Sequence, residues 1–302
     1  MQRMENFRLK VFRTVADCLN FRKAAEQLHM SQPAVSQQIH ALEEELGILL
    51  FDRSNNRIGL TREGDILRRY AVRMARLCTE AREALAQVQG EPSGELRLGA
   101  STTVAQYILP RLLGEFRRLH PGVTLSLTSG NTEQIVAGLL KGETALAIIE
   151  GPASSREVHK ERFLKDRMVL IVPRGHRWVS LPEIEPEALL EEPLLMREPG
   201  SGSRRVVELA LRRAGLPLRR LRRAMNLDST EAILSGVEAG LGIGFVSEWA
   251  IRKEVRLGTL KVVQVRGLEM VRDLSLIRRA GPAPEGAAGA FERFAIAQAG
   301  LR

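Results

Sequence analysis

The apolar positions divide the chain into two textures. In the first, Phe7, Val11, Phe12, Val15 and Leu19 recur at three- and four-residue spacing and predict one apolar helix face. Asn20 is placed to cap a second, short helix carrying Ala24, Ala25 and Leu28. His29-Met30 forms a turn, and Ser31 caps a third helix with Pro33 in its first turn, where a missing N–H costs little. That helix runs through Ile39, Leu42 and Leu46 and stops at Gly47, a residue suited to the position just past a helix end. Phe51 to Thr61 follows, with Asn55-Asn56 between short strand-compatible flanks, and predicts a small hairpin. From Arg62 to Gln89 one long helix is expected. On it Ile66, Tyr70, Met74, Leu77, Ala81 and Leu85 form a short heptad-like seam. Such a stripe is usually core. Little flanking sequence is left to cover this one, so a partner helix is the expected cover.

Gly90 to Gly94 (GEPSG) breaks the pattern and reads as a linker. Beyond it, strand-like runs at Leu96–Ala100, Val123–Thr128, Ala145–Ile149, Met168–Val172, Pro193–Met196, Leu241–Val246 and Leu274–Ile277 alternate with helical runs such as Ala105–His120 and Thr132–Lys141. The alternation predicts an α/β fold with mostly parallel strands, and about 200 residues is generous for one sheet, so two lobes are expected.

Composition narrows the class. The chain has 302 residues, 44% of them hydrophobic, which is ample for folded cores, and a net charge of +9, which favours polyanionic partners. Its 2 cysteines, Cys18 and Cys78, lie far apart with no Cys or His at metal spacing, so free thiols in a reducing cytosol are expected. The first ten residues carry no apolar signal region and no run is long and apolar enough to span a membrane. A cytoplasmic protein is expected.

The candidate chemistry of the first texture is DNA reading. Ala24 and Ala25 supply small residues where two helices cross, and Ser31, Gln32, Ser36 and Gln37 place short polar side chains on the start of the third helix, where base edges are read in the major groove. Arg22 and Lys23, with Arg53 and Arg57 in the hairpin, are positioned for phosphates. A lone Ser-x-x-Ser is more often a solvated helix face. The small-residue crossing, the capped third helix and the basic hairpin together favour DNA.

The run FRKAAEQLHMSQPAVSQQIHALEEELGILLFDRSNNRIGLTREG resembles the winged helix-turn-helix of LysR-type transcriptional regulators, with its AA, SQPAVSQQI, LEEELG, LFDR and LTxxG elements in place. The resemblance extends over the whole chain. It implies a winged DNA-binding domain over residues 1–61, a dimerisation helix over 62–89, and an effector-binding domain over 90–302 that is two-lobed like a periplasmic binding protein. Lobe one is expected at about 94–163 and 267–302, and lobe two at about 164–266. The resemblance also implies that Arg22, Lys23, Ser31, Gln32, Pro33, Ser36, Gln37 and Arg53 contact DNA, and that the chain works as a homodimer or homotetramer with RNA polymerase as a candidate partner.

Three small polar loops are candidates for the effector site. Ser101-Thr102-Thr103, Ser129-Gly130-Asn131-Thr132 and Gly200-Ser201-Gly202-Ser203 each follow a predicted strand. Hydroxyls and free N–H groups at a helix start favour an anion, and the carboxyl ends of strands are where α/β sheets place ligands. The candidate residues are Ser101, Thr102, Thr103, Ser129, Asn131, Thr132, Ser201 and Ser203. For any one loop the plainer reading is an ordinary helix cap. TSGNT followed by AIIEG is similar to the family branch that senses carbon-fixation or sulfur metabolism, although Ala145 stands where that family often has an acid. Glu150 is expected to repel a polyanion near the cleft. No cofactor is expected beyond a non-covalent small-molecule effector.

The stretch holding Arg204, Arg205, Arg212, Arg213, Arg219, Arg220, Arg222 and Arg223 reads first as a solvated helix face followed by an edge strand, and otherwise as a second nucleic-acid or acidic-partner surface. An enzyme is disfavoured, because His29, His40, His120, His159 and His176 fall in no nucleophile or metal motif. A solute-binding transport protein is disfavoured by the fused helix-turn-helix.

Overall fold

Helix α1 (Phe7–Cys18) starts at Asn6, whose side chain accepts from the N–H groups of Arg8 and Leu9. Its Val11, Phe12, Val15 and Ala16 are buried. Leu19, read as the last residue of that apolar face, instead ends the helix in the left-handed region (φ 45°) and is 46% exposed. The chain must turn there to start α2 (Phe21–Leu28), capped by Asn20, and the turn overrides the periodicity. Helix α3 (Gln32–Leu46) is capped by Ser31, carries Pro33 in its first turn and stops at Gly47 (φ 67°). The structure, a computed structural model, describes residues 6–52, 58–87, 92–151 and 157–299. The hairpin turn with Arg53, Asn55, Asn56 and Arg57, and the side chain of Leu85, lie outside those residues.

The hairpin strands are β1 (Phe51–Asp52) and β2 (Gly59–Leu60), paired antiparallel with Phe51 opposite Leu60. Phe51 packs against Phe12 in a tilted contact and against Phe21 edge-on, with ring centroids 5.5 and 5.7 Å away, and so ties the wing to both helices. The buried carboxylate of Glu43 accepts from the N–H groups of Leu50 and Phe51 and fixes the exit from α3. Helix α4 (Arg62–Gln87) begins at Thr61, whose hydroxyl accepts from the N–H of Gly64. A Cβ on Gly64 would stand 2.1 Å from the carbonyl oxygen of Leu50, so only glycine lets this helix start against the wing. Ala71 and Ala75 are buried, and Ala71 joins the core of Val11, Phe12, Val35 and Ile39.

Residues 90–302 form the second unit. Its strands are β3 (Gly94–Ser101), β4 (Val123–Gly130), β5 (Leu146–Glu150), β6 (Val158–Pro173), β7 (Pro193–Arg197), β8 (Arg222–Leu227), β9 (Ile243–Ser247), β10 (Leu260–Val263) and β11 (Met270–Arg279). They make one sheet in the order β4-β3-β5-β11-β6-β9-β7-β8, with β10 paired to β6. The expectation of a mostly parallel sheet is corrected. Two parallel wings, β4-β3-β5 and β9-β7-β8, are joined by antiparallel pairings through β6 and β11. Strand β6 is far longer than the Met168–Val172 run read from apolarity. Its first half, from Val158 to Arg167, is largely polar and pairs with β11, so it carries no apolar signal.

The two wings carry separate cores and so form two lobes. Lobe one packs Leu96, Leu98, Ile148 and Leu276 against Leu109, Leu112 and Phe116 of α5 (Leu109–Leu119) and Phe291 of α10 (Gly286–Ala299), beside α6 (Thr132–Lys141). Lobe two packs Leu170, Leu194, Ile243 and Phe245 with Val207 and Leu211 of α7 (Gly202–Arg213). On its other side it buries Ile233, Leu234 and Val237 of α8 (Thr230–Glu238), and α9 (Arg252–Leu257) lies against β10. The single helix expected over Ala105–His120 opens as a π-turn, Val104–Ile108, and becomes α-helical only at Leu109, next to Pro110, which has no N–H to give.

Candidate functional site

Two arrangements carry chemistry. On α3, Val35, Ile39 and Leu42 face the core, which turns Gln32, Pro33 and Gln37 to solvent, with Ser36 half-buried beside them. Ser31 serves the helix as its cap, so its hydroxyl is partly committed. Lys23 is exposed, and the exposed Arg22 makes a solvent-facing ion pair with Glu26 at 3.5 Å, which phosphate can displace at little cost. The structure thus gathers Gln32, Ser36 and Gln37 on one exposed helix face.

The second arrangement lies where the lobes meet. Strand β3 ends at Ser101, whose buried hydroxyl has no hydrogen-bond partner. The Thr102 hydroxyl donates to the Gly130 carbonyl at 3.3 Å and accepts from Arg197 Nη2 at 3.4 Å. The Thr103 and Thr230 hydroxyls lie 3.1 Å apart, and Thr230 also accepts from Arg197 Nη1 at 3.3 Å. Arg197 is only 4% exposed and is further held by the Asp228 carbonyl and by Glu198, at 3.0 and 2.8 Å. Residues from lobe one (Thr102, Thr103) and lobe two (Arg197, Thr230) therefore converge on one point. Arg197 already makes a two-point ion pair with Glu198, at 2.8 and 3.1 Å, so a carboxylate or phosphate binds this guanidinium by exchanging with that carboxylate beside the Thr102 and Thr230 hydroxyls. Tyr107, on the π-turn, donates to Glu231 across the lobes at 2.5 Å. Burial first, and then that hydrogen bond, hold its phenol above the usual tyrosine range, so it stays protonated and remains a donor.

The other two loops are placed differently. Asn131 caps α6 in a reciprocal pair with Gln134, and Ser201 caps α7. Ser129 is exposed at the end of β4, the sheet edge. Thr132 donates to the carbonyl of Glu150 and Ser203 to its carboxylate, at 3.1 and 2.7 Å, so both hydroxyls are spent on the end of β5. Gly202 is required there, because a Cβ would stand 2.0 Å from the Glu150 carbonyl oxygen.

The expectation that Glu150 repels an anion in the cleft is corrected. Its carboxylate is buried and paired with Arg272 Nη2 at 3.1 Å. Arg272, itself 2% exposed, also binds Asp166 at 2.6 Å and donates to Ser203 at 2.9 Å, while Ser247 donates to Asp166 at 2.7 Å. This node joins β5, β6, β9, β11 and the start of α7. Sequence reasoning missed Arg197, Thr230 and, in the node, Asp166, Ser247 and Arg272. Thr230 had a signal, since Asp228-Ser229-Thr230 follows a strand and opens a helix as the first loop does. Arg272 and Asp166 had none, since each stands among several other charged residues of its strand.

Comparison with known proteins fits this geometry. Residues 7–65 match the family model described as bacterial regulatory helix-turn-helix protein, lysR family, and residues 89–300 match the LysR substrate binding domain. A relative from Guillardia theta, named "Probable RuBisCO transcriptional regulator", is 36% identical over 272 residues, covering 89% of this chain and 88% of its own. The solved regulatory domain of CcmR from Synechocystis PCC6803, in complex with 2-PG, is 30% identical with a TM-score of 0.64, covering 68% of this chain and 98% of that one. Full-length CbnR complexed with its target DNA is 25% identical with a TM-score of 0.70, covering 97% and 98% of the two chains. The family consists of transcriptional regulators and not of enzymes. With a winged helix-turn-helix followed by a two-lobed effector-binding unit, this chain belongs to the LysR family of transcriptional regulators.

Proposed function

We propose that this regulator senses a small organic anion of the phosphorylated-carboxylate class, bound between the lobes, and controls genes of carbon fixation. The observation that carries the reading is the buried guanidinium of Arg197 set among Thr102 and Thr230, with Thr103 beside them. Relatives named for RuBisCO regulation, and the binding of 2-phosphoglycolate by CcmR, support it. Gln32, Ser36 and Gln37 read bases, and Arg22, Lys23, Arg53 and Arg57 hold phosphates. Paired α4 helices make a dimer, and paired effector units a tetramer. Recognition helices then enter successive major grooves roughly 34–36 Å apart or a multiple of that. No helix among the described residues is long and apolar enough to cross a membrane, and the partners of a DNA-bound regulator, RNA polymerase among them, lie in the cytoplasm, where we place this chain.

Thr102→Val tests the site. Valine keeps the side-chain shape and removes the hydroxyl, so a ligand oxygen loses its partner at a cost of about 1–3 kcal/mol, or about 5- to 150-fold in affinity. Calorimetry with 2-phosphoglycolate on both proteins should show that loss, with operator binding in the absence of ligand unchanged. Equal affinities beside a lowered melting temperature would give Thr102 a purely structural role, tying β3 to the Gly130 carbonyl.

A further inference from the structure

The arginine-rich stretch of lobe two remains outside the two sites. Residues 204–223 hold eight arginines and one acid, Glu208, a surplus of seven against +9 for the whole chain. Most of the chain's excess charge therefore sits in the effector-binding unit. Four of the eight are accounted for locally. Arg204 and Arg223 share Glu208, Arg205 faces Glu133, and Arg222 donates to the Glu191 carbonyl. Arg222 and Arg223 also stand on β8, a sheet edge, where charge discourages strand pairing. Arg212, Arg213, Arg219 and Arg220 are different. They are exposed, they stand at the end of α7 and in the short turn before β8, and no acid among the described residues pairs with them.

Their place in the fold separates them from the effector cleft. Strands β7 and β8 are parallel, with Pro193 opposite Arg222 and Arg197 opposite Leu227. Arg197 marks the cleft end, so the start of β8 lies at the far end, about 16 Å away at 3.3 Å per residue. Helix α7 begins against Glu150 and runs 12 residues to Arg213, about 18 Å from the cleft. The four free arginines thus form a basic cap on the outer pole of lobe two.

We infer that this cap contacts the DNA backbone outside the half-sites read by the winged domains, as a sequence-independent second anchor. The family already commits the chain to DNA, a continuous polyanion that needs only exposed positive charge to be held. The contact draws duplex toward the effector units and adds to the salt dependence of binding.

The test uses the full-length chain with Arg212→Gln, Arg213→Gln, Arg219→Gln and Arg220→Gln combined, beside the same four positions changed to Lys. Two duplexes are titrated against salt. One ends at the footprint of the winged domains, and one extends several helical turns beyond it. On the long duplex the glutamine variant should lose about 0.9 from the magnitude of the salt slope for each phosphate contact removed, and at least about tenfold in affinity near 0.15 M salt. The lysine variant should keep both, and the short duplex should show no difference. Melting curves confirm that each variant is folded. An unchanged slope and affinity on the long duplex overturns the inference. So does intact DNA binding beside lost binding to RNA polymerase, which would assign the cap to an acidic protein instead.

Discussion

Replacing Arg272 by alanine is expected to destabilise the effector-binding unit by about 3–5 kcal/mol, the cost of leaving a buried charge without its partner. Among the described residues Arg272 alone is paired with these two buried carboxylates, Asp166 at 2.6 Å and Glu150 at 3.1 Å. Alanine leaves both without a counter-ion, with only Ser247 and Ser203 still donating to them. For a unit of this size the loss lowers the melting temperature by roughly 6–20 °C. The deficit arises from the orphaned carboxylates, so adding Asp166→Asn and Glu150→Gln should recover most of it. Calorimetry of the three proteins decides. A single variant within about 1 kcal/mol of the unmodified chain would mean that the carboxylates are hydrated or neutral.

Leu77→Asp is expected to abolish assembly through α4 and, with it, high-affinity operator binding. Ile66, Tyr70, Met74 and Leu77 are exposed along one face of that helix, whereas Ala71 and Ala75 on another are buried in the core of their own unit. Among the described residues of this unit nothing covers these four large apolar side chains, and a second α4 would supply the missing surface. Burying a leucine there contributes about 1.5–3 kcal/mol per copy, and a carboxylate in its place adds a desolvation cost. Leu77 is 56% exposed in the single chain, so the variant should fold normally. Sedimentation should show tetramers reduced to dimers paired through the effector units, with unchanged melting of the winged domain. An intact tetramer would remove Leu77 from the seam.

What could be read in the sequence was what neighbouring residues determine. Asn20, Ser31 and Gly47 punctuate the first helices through contacts a few residues away, so α1 to α3 were legible nearly residue by residue. The hydroxyl loop at Ser101–Thr103 was legible because a strand end and a helix start adjoin in the chain. The lobe junction was not. Arg272 and Asp166 are 106 residues apart, and Arg197 meets Thr102 across 95. Nothing local announces that either pair will meet. Glu150 was misplaced for the same reason, since its partner lies on a strand more than a hundred residues later. The first half of β6 was missed because a strand that joins two lobes needs no continuous apolar run.

Anion binding and DNA binding must be coupled if this chain is a regulator of the proposed kind, and the coupling is directly measurable. Operator affinity of the full-length protein is titrated with and without saturating 2-phosphoglycolate, for the unmodified chain and for Arg197→Met. The unmodified chain should show a shift of about 5- to 150-fold, with an equal shift in anion affinity when operator is present, and Arg197→Met should show none. An anion that binds between the lobes while operator affinity stays constant, or a response that survives the loss of Arg197, would contradict the proposed function.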